Sequence, residues 1–211
     1  MGTYFRNVEQ FLDRIDNGDW IEIGVDRGEG STPWLAERAR NKNADFFAVD
    51  VDPKQIRTTR QRFIDQGQMS PKIFFVEARG EEFIKDYTHD HPDRRVSLAY
   101  LDNFDWDYWL GGQEEAFVPA VKQQYKDLMG VEMINLNSQI THMLQAMLLV
   151  PIMSENSIFI CDDTWYDPRD GVFVGKCSSA IPFLLMSGYQ MLHTEGYRQN
   201  SGAILGKFAN E

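Results

Sequence analysis

The chain has 211 residues, 43% of them hydrophobic and 25% charged, which fits one soluble domain with a sizeable core. Its net charge of −11 argues against a nucleic-acid partner, because binding a phosphate backbone requires a basic footprint. Two cysteines, Cys161 and Cys177, are too few for a disulfide framework and lack metal-ligand spacing. The N-terminal "MGTYFRNVEQF" lacks the apolar core of a secretory signal and has Arg6 where myristoylation requires Ser or Thr. The longest apolar run, "AMLLVPIM", is too short to cross a bilayer. These features lead us to expect a cytoplasmic protein with no membrane partner.

Seven short apolar runs read as strands: "WIEIGV", "FFAVDV", "KIFFVEA", "VSLAYLD", "SIFICDD", "YQMLHTE" and "AILGKF". Helical segments separate the early ones. "STPWLAERARNK" offers Ser31 or Thr32 as a cap and Pro33 at the first helical position. "DPKQIRTTRQRFIDQG" follows the second strand, with Asp52 as its cap, and "GEEFIKDY" follows the third. Apolar strands alternating with helices predict an α/β fold, a parallel sheet covered on both faces. The stretch from Phe104 to Asn156 is long and holds the aromatic patch "NFDWDYWLGG" followed by two helical patterns. Residues 104–133 are expected to form a substrate cap within a single domain spanning 1–211. In the second helical pattern Ile140, Met143, Leu144, Met147 and Leu148 follow helical spacing and are expected to face the core. The last two strands are separated only by "GYRQNSG", too short for a crossover, so an antiparallel hairpin is expected.

The glycine loop "GVDRGEG" between the first strand and first helix suits close backbone approach to a polar ligand. A dinucleotide fingerprint starting at Gly24 would need glycine at positions held by Asp26 and Glu29, whose charges would repel a pyrophosphate. The loop instead resembles motif I of class I S-adenosylmethionine-dependent methyltransferases, acidic-x-Gly-x-Gly-x-Gly, in the form Glu22-x-Gly24-x-Asp26-x-Gly28. Asp50 ends the second strand, where that family places an acidic residue on both ribose hydroxyls. A carboxylate suits the task because it has two acceptor oxygens. "VEARGEEF" matches the loop that flanks the adenine, and the closing hairpin is the family's topological mark. The resemblance covers nearly the whole chain. It implies a Rossmann-like, doubly wound seven-stranded sheet of order 3-2-1-4-5-7-6 with strand 7 antiparallel. It also implies cofactor contacts at Glu22, Gly24, Asp26, Gly28, Ser31, Thr32, Asp50, Val51, Ala78, Arg79 and Asp102. Glu22 has an alternative use in binding loop amides, and Asp50 one as a helix cap. Asp26 departs from the family's glycine.

"LAYLDNFDWD" and "SIFICDDTWYD" bring Asp102, Asp162 and Asp163 to the ends of strands four and five. In the family's strand order these strands are neighbours, so the three carboxylates should converge at the carboxyl edge of the sheet, where ligands bind. With no cationic neighbour in view, a hard cation such as Mg²⁺ is the expected partner. The pattern resembles the metal-dependent O-methyltransferases of the catechol, macrocin and cephalosporin-hydroxylase-like branch, and "DGVFVGKCSSAIPFLL" resembles the segment after the acidic pair there. Carried over, Asp102, Asp162 and Asp163 are metal ligands, and the ion chelates a hydroxyl pair on a small-molecule acceptor. The catechol enzyme's Lys, three residues after the first Asp, is replaced by Asp105. Asp102, Asp105 and His142 are the catalytic candidates, with His142 as a general base because imidazole titrates near neutrality. Trp106, Tyr108 and Trp109 either stack on a planar acceptor or pack the cap. A homodimer is compatible with the sequence. The competing reading is a non-catalytic binding or assembly module on the same fold.

Overall fold

The computed structural model describes residues 4–107, 118–196 and 201–209. Its central sheet contains β1 (Asp19–Ile23), β2 (Phe46–Asp50), β3 (Ile73–Glu77), β4 (Val96–Leu101), β5 (Met153–Asp162), β8 (Gln190–Glu195) and β9 (Gly202–Lys207), in the order β3-β2-β1-β4-β5-β9-β8. The first five strands pair in parallel, while β9 pairs antiparallel with both β5 and β8. This is the expected order, with the reversed last strand inserted inside the final hairpin.

Alternate strand residues point to opposite faces, and both faces are covered. Ile21, Ile23, Val49, Ala99, Leu101 and Phe159 pack on one side with Ile84, Ala146 and Leu184. Trp20, Ala48, Leu98, Tyr100 and Ile160 pack on the other with Leu35, Phe63 and Val8. Every residue of β1 and β4 is buried, which explains why those runs are apolar throughout apart from a few polar groups. The helices are α1 (Ser31–Asn41), α2 (Pro53–Asp65), α3 (Gly80–Asp90), α4 (Val118–Met129), α5 (Asn135–Leu149) and α6 (Ala180–Met186). A 3-10 segment, Tyr4–Phe11, packs on β9. No helix among the described residues is long and apolar enough to cross a membrane.

Asp52 caps α2 as expected: its carboxylate accepts from the Lys54 amide at 2.7 Å, and Pro53 opens the helix. The cap of α1 differs. Gly30 precedes that helix with no side-chain cap, Ser31 and Thr32 lie inside its buried first turn, and Pro33 follows them there. Ser31 is unavailable as a cap because its hydroxyl donates to Glu22.

Two further elements depart from expectation. A second hairpin, β6 (Thr164–Asp167) and β7 (Val172–Gly175), follows β5 outside the main sheet. The face of α5 is also turned around. Ile140, Leu144 and Met147 are 47%, 46% and 47% exposed, whereas Ser138, Thr141, His142 and Gln145 are buried. Only Met143 and Leu148 of the apolar stripe pack against the core. The inner face of α5 covers polar backbone at the end of β4, and the Ser138 hydroxyl donates to the Phe104 carbonyl at 2.9 Å. That bond accounts for a polar residue at position 138 on the inner face, while Ala146 and Leu149 carry its apolar contacts.

Candidate functional site

Strand register lines up the site. Ile23 pairs with both Val49 and Leu101, and Leu101 pairs with Cys161. The residues that follow, Gly24, Asp50, Asp102 and Asp162, therefore emerge side by side at the carboxyl edge of a parallel sheet. A cleft of about 230 Å³ opens there, lined by Gly24, Asp26, Asp50, Val51, Ala78, Arg79 and Asp102. Tyr125, Leu128 and Met129 of α4 form its opposite wall, where Phe104 packs on Met129 and Tyr125. The Arg79 guanidinium donates to the Met129 carbonyl and ties that wall to α3. From the expected cap, Phe104, Asp105, Val121, Gln124, Tyr125, Leu128 and Met129 line the cleft, whereas Tyr108 and Trp109 lie outside the described residues. Trp106 is buried edge-on against Trp165, 6.4 Å between ring centroids, which fits packing rather than an open stacking face.

Gly24 has φ +96°, and a β-carbon on it would lie 2.6 Å from the Asn103 nitrogen and the Asp102 carbonyl carbon. The loop thus passes directly over the end of β4, which only glycine permits. Asp26 stands where motif I has glycine, and it keeps the left-handed backbone at φ +43°. Aspartate is among the few residues that tolerate this region, so the loop turns here without a glycine.

Asp50 holds that loop from below. One carboxylate oxygen accepts from the Val25 amide at 3.0 Å and the other from the Asp52 amide at 2.8 Å. Burial raises its pKa, opposed by these amides. The Asp26 amide also bonds this carboxylate, and the acceptor capacity left over on its two oxygens is available to a ligand donor. Asn103 adds an orphan acceptor in the cleft wall: its buried Oδ1 has no hydrogen-bond partner.

Glu22, Gly28, Ser31 and Thr32 do not line the cleft. Gly28 packs against Thr59 of α2. Glu22 is fully buried beneath the loop, where it accepts from Ser31 and burial pushes its carboxyl up to about 8. Relative to an unfolded pKa of 4.5, the buried acid favours folding below that value, and the advantage is lost as pH rises through about 8. Glu22→Gln keeps an acceptor for Ser31 but cannot ionise. Wild type should therefore lose on the order of 4 kcal/mol relative to Glu22→Gln between pH 4.5 and 8.5, read from urea midpoints. Parallel pH profiles would show that Glu22 ionises freely in the fold.

The acidic strand ends converge as expected, but around a cation within the chain. Lys176 Nζ lies 2.8 Å from Asp102, 3.2 Å from Asp163 and 3.5 Å from Asp162, with its side chain 2% exposed. Tyr4 donates to Asp162 at 2.6 Å, and Tyr100 lies 3.2 Å from Asp162 and 3.4 Å from Asp102. Burial and the neighbouring Asp162 push the Asp102 carboxyl well above the carboxylate range. Against burial, Lys176 and the hydrogen bonds of Asp102 and the two tyrosines hold Asp162 below that range. Despite burial, the three aspartates hold the Lys176 pKa well above its ordinary value, so the ammonium is permanent.

Asp102, Asp162 and Asp163, expected as metal ligands, instead face the Lys176 ammonium, which lies between them. Among the described residues no group of three His, Cys, Asp or Glu is arranged to hold a metal. The general-base role of His142 is corrected too. The imidazole is fully buried in α5, its Nδ1–H donates to the Ser138 carbonyl at 2.7 Å, and burial pushes its pKa down to about 3. Asp105 does reach the cleft, where its amide donates to the Tyr125 hydroxyl at 2.7 Å and its side chain is exposed. Lys176, Tyr4, Tyr100, Asn103 and Tyr125 escaped sequence reasoning. The turn residues of "DPRDG", which fold Lys176 back, were the available signal.

No family model and no curated protein sequence matches the chain. Solved structures do match it along nearly its full length. A candidate rRNA methylase from Clostridium thermocellum is 10% identical, with 99% of this chain and 98% of that one covered and a TM-score of 0.59. A candidate methyltransferase from Streptococcus mutans, in complex with S-adenosylhomocysteine, is 9% identical, with 99% of each chain covered and a TM-score of 0.56. Magnesium protoporphyrin IX methyltransferase from Synechocystis, with bound S-adenosylmethionine, is 11% identical, with 97% of this chain and 78% of that one covered and a TM-score of 0.52. At such identities the likeness is one of fold. The chain has the Rossmann-like fold of class I methyltransferases, with their antiparallel strand β9 between β5 and β8.

Proposed function

We propose that the chain binds S-adenosylmethionine in the cleft at the ends of β1, β2 and β4 and transfers its methyl group to a hydroxyl of a small-molecule acceptor. The observation that carries this reading is Asp50: a carboxylate at the end of β2, anchored by loop amides and lining the cleft, where it is an acceptor for ligand hydroxyls. That arrangement suits a pair of ribose hydroxyls and no phosphate. The uncapped Asn103 Oδ1 suits a further donor, such as the amino group of the cofactor's methionine end. Two solved neighbours carry S-adenosylhomocysteine or S-adenosylmethionine, which supports the same ligand for this fold.

The bound cofactor supplies an electrophilic sulfonium methyl. The chain supplies alignment: Gly24 admits close approach, Asp50 fixes one end of the ligand, and the α4 wall closes over it. His142 is spent on its own helix, so we assign the exposed carboxylate of Asp105 to receive the acceptor's proton. Two neighbours are described as rRNA methylases, but a net charge of −11 favours a small acceptor over an RNA backbone.

Calorimetric titration with S-adenosylhomocysteine tests the reading and should give a single saturable site. A flat titration at millimolar ligand would overturn it. Saturable binding of S-adenosylmethionine without turnover across a broad panel of hydroxylated acceptors would leave a binding module instead.

A further inference from the structure

We propose that Lys176 is a built-in cation, standing where a divalent ion would otherwise sit between Asp102, Asp162 and Asp163, so that the acidic strand ends are organised without metal. This holds whatever the cleft binds, because it concerns how the chain neutralises its own carboxylates.

The local chain course is shaped to deliver the ammonium. The β6–β7 hairpin leaves from Asp163 and returns at Gly175, pairing Thr164 with Gly175. Gly175 has φ +107°, and a β-carbon there would fall 1.9 Å from the Asp163 carbonyl oxygen, so the return passes closer than any side chain allows. The Lys176 amide then donates to that carbonyl at 3.1 Å, and the Cys177 amide donates to the Thr164 hydroxyl at 3.0 Å. These bonds fix the backbone on both sides of the lysine and leave its side chain one direction, into the cluster.

The donor inventory is then full. An ammonium has three N–H donors, and three carboxylates lie at 2.8, 3.2 and 3.5 Å. A divalent ion keeps open coordination positions on which a substrate oxygen can sit. Lys176 has none to spare and, at 2% exposure, no route to a substrate. Its role is positioning: it holds Asp102 at the cleft floor and offsets the repulsion among the three carboxylates. An acceptor therefore needs no vicinal hydroxyl pair for chelation, and its orientation comes from the cleft walls.

Mn²⁺ titration followed by electron paramagnetic resonance tests this without recourse to activity. Wild type should show no stoichiometric Mn²⁺ site. Lys176→Ala empties the space between the carboxylates and should gain one, with affinity at least roughly tenfold above wild type because three acidic oxygens then face the ion. Adding Asp163→Asn should abolish the gain. Thermal melting of Lys176→Ala should also rise with Mn²⁺ and fall back with EDTA. A stoichiometric wild-type Mn²⁺ site that Asp163→Asn removes would overturn the proposal, as would a folded Lys176→Ala with wild-type Mn²⁺ affinity. Should Lys176→Ala fold under no condition, the wild-type titration decides alone. A flat S-adenosylhomocysteine titration leaves this result intact, so failure of the methyl-transfer reading is read separately.

Discussion

Asp50→Ala will weaken S-adenosylhomocysteine binding by on the order of 100-fold or more in calorimetry. Two hydrogen bonds to a charged acceptor contribute about 1.5–3 kcal/mol each, and both vanish together. A second effect runs the same way. The carboxylate also accepts from the Val25 and Asp52 amides, so its removal frees the loop that carries Gly24 and Asp26. Asp50→Asn separates the two effects: it retains one carbonyl acceptor but turns an N–H donor toward an amide that is itself a donor. Its loss should fall between wild type and alanine. Unchanged affinity in Asp50→Ala would remove the cofactor assignment altogether.

Lys176→Met should destabilise the fold by about 3–5 kcal/mol at neutral pH, since it removes the positive charge that faces the crowded, buried carboxylates. Against a total stability of about 5–15 kcal/mol, the variant still folds but melts earlier. The pH dependence distinguishes this from loss of packing. Without the ammonium, Asp162 loses the charge that offsets its burial and its pKa rises above the unfolded value near 3.9, while that of Asp102, already raised, climbs further. Carboxyls of that kind contribute stability that is present below the unfolded pKa and lost as pH rises through the folded values. The gap between wild type and Lys176→Met should therefore be small near pH 4.5 and wide at pH 7.5. Equal gaps in urea midpoints at the two pH values would mean that methionine fails through shape rather than charge.

Most of the sheet was readable because β1, β2 and β4 are buried on both faces and so are spelled as unbroken apolar runs. The closing hairpin followed from a connection too short for a crossover, and Asp50 from its place at a strand end. The centre of the acidic cluster was not readable. Lys176 lies 74 residues from Asp102, and a lysine in "VGKCSS" carries no mark of burial. What brings it home is the β6–β7 hairpin, whose strands are four residues each and too short for a clear alternation. The error on α5 has a different cause. Periodicity correctly shows that Ile140, Leu144 and Met147 share a face, but it cannot show which face the fold covers. Here the buried side includes Ser138, which bonds the Phe104 carbonyl, together with Ala146 and Leu149. At Asp26 an unexpected residue holds the left-handed backbone that glycine more often takes.

The placement of β9 also sets the order in which the molecule can assemble. The strand lies between β5 and β8 but is made after both, and Tyr4 reaches Asp162 across 158 residues of chain. Contacts of such separation form late, because the loop between them must be closed before they contribute. At about 5–20 residues per second, the ribosome exposes β1 to β5 well before residue 207 is available. During that interval the edge of β5 lacks its neighbour, and the acidic strand ends lack first the ammonium and then the completed sheet. Only when β9 pairs with both β5 and β8 is that edge covered.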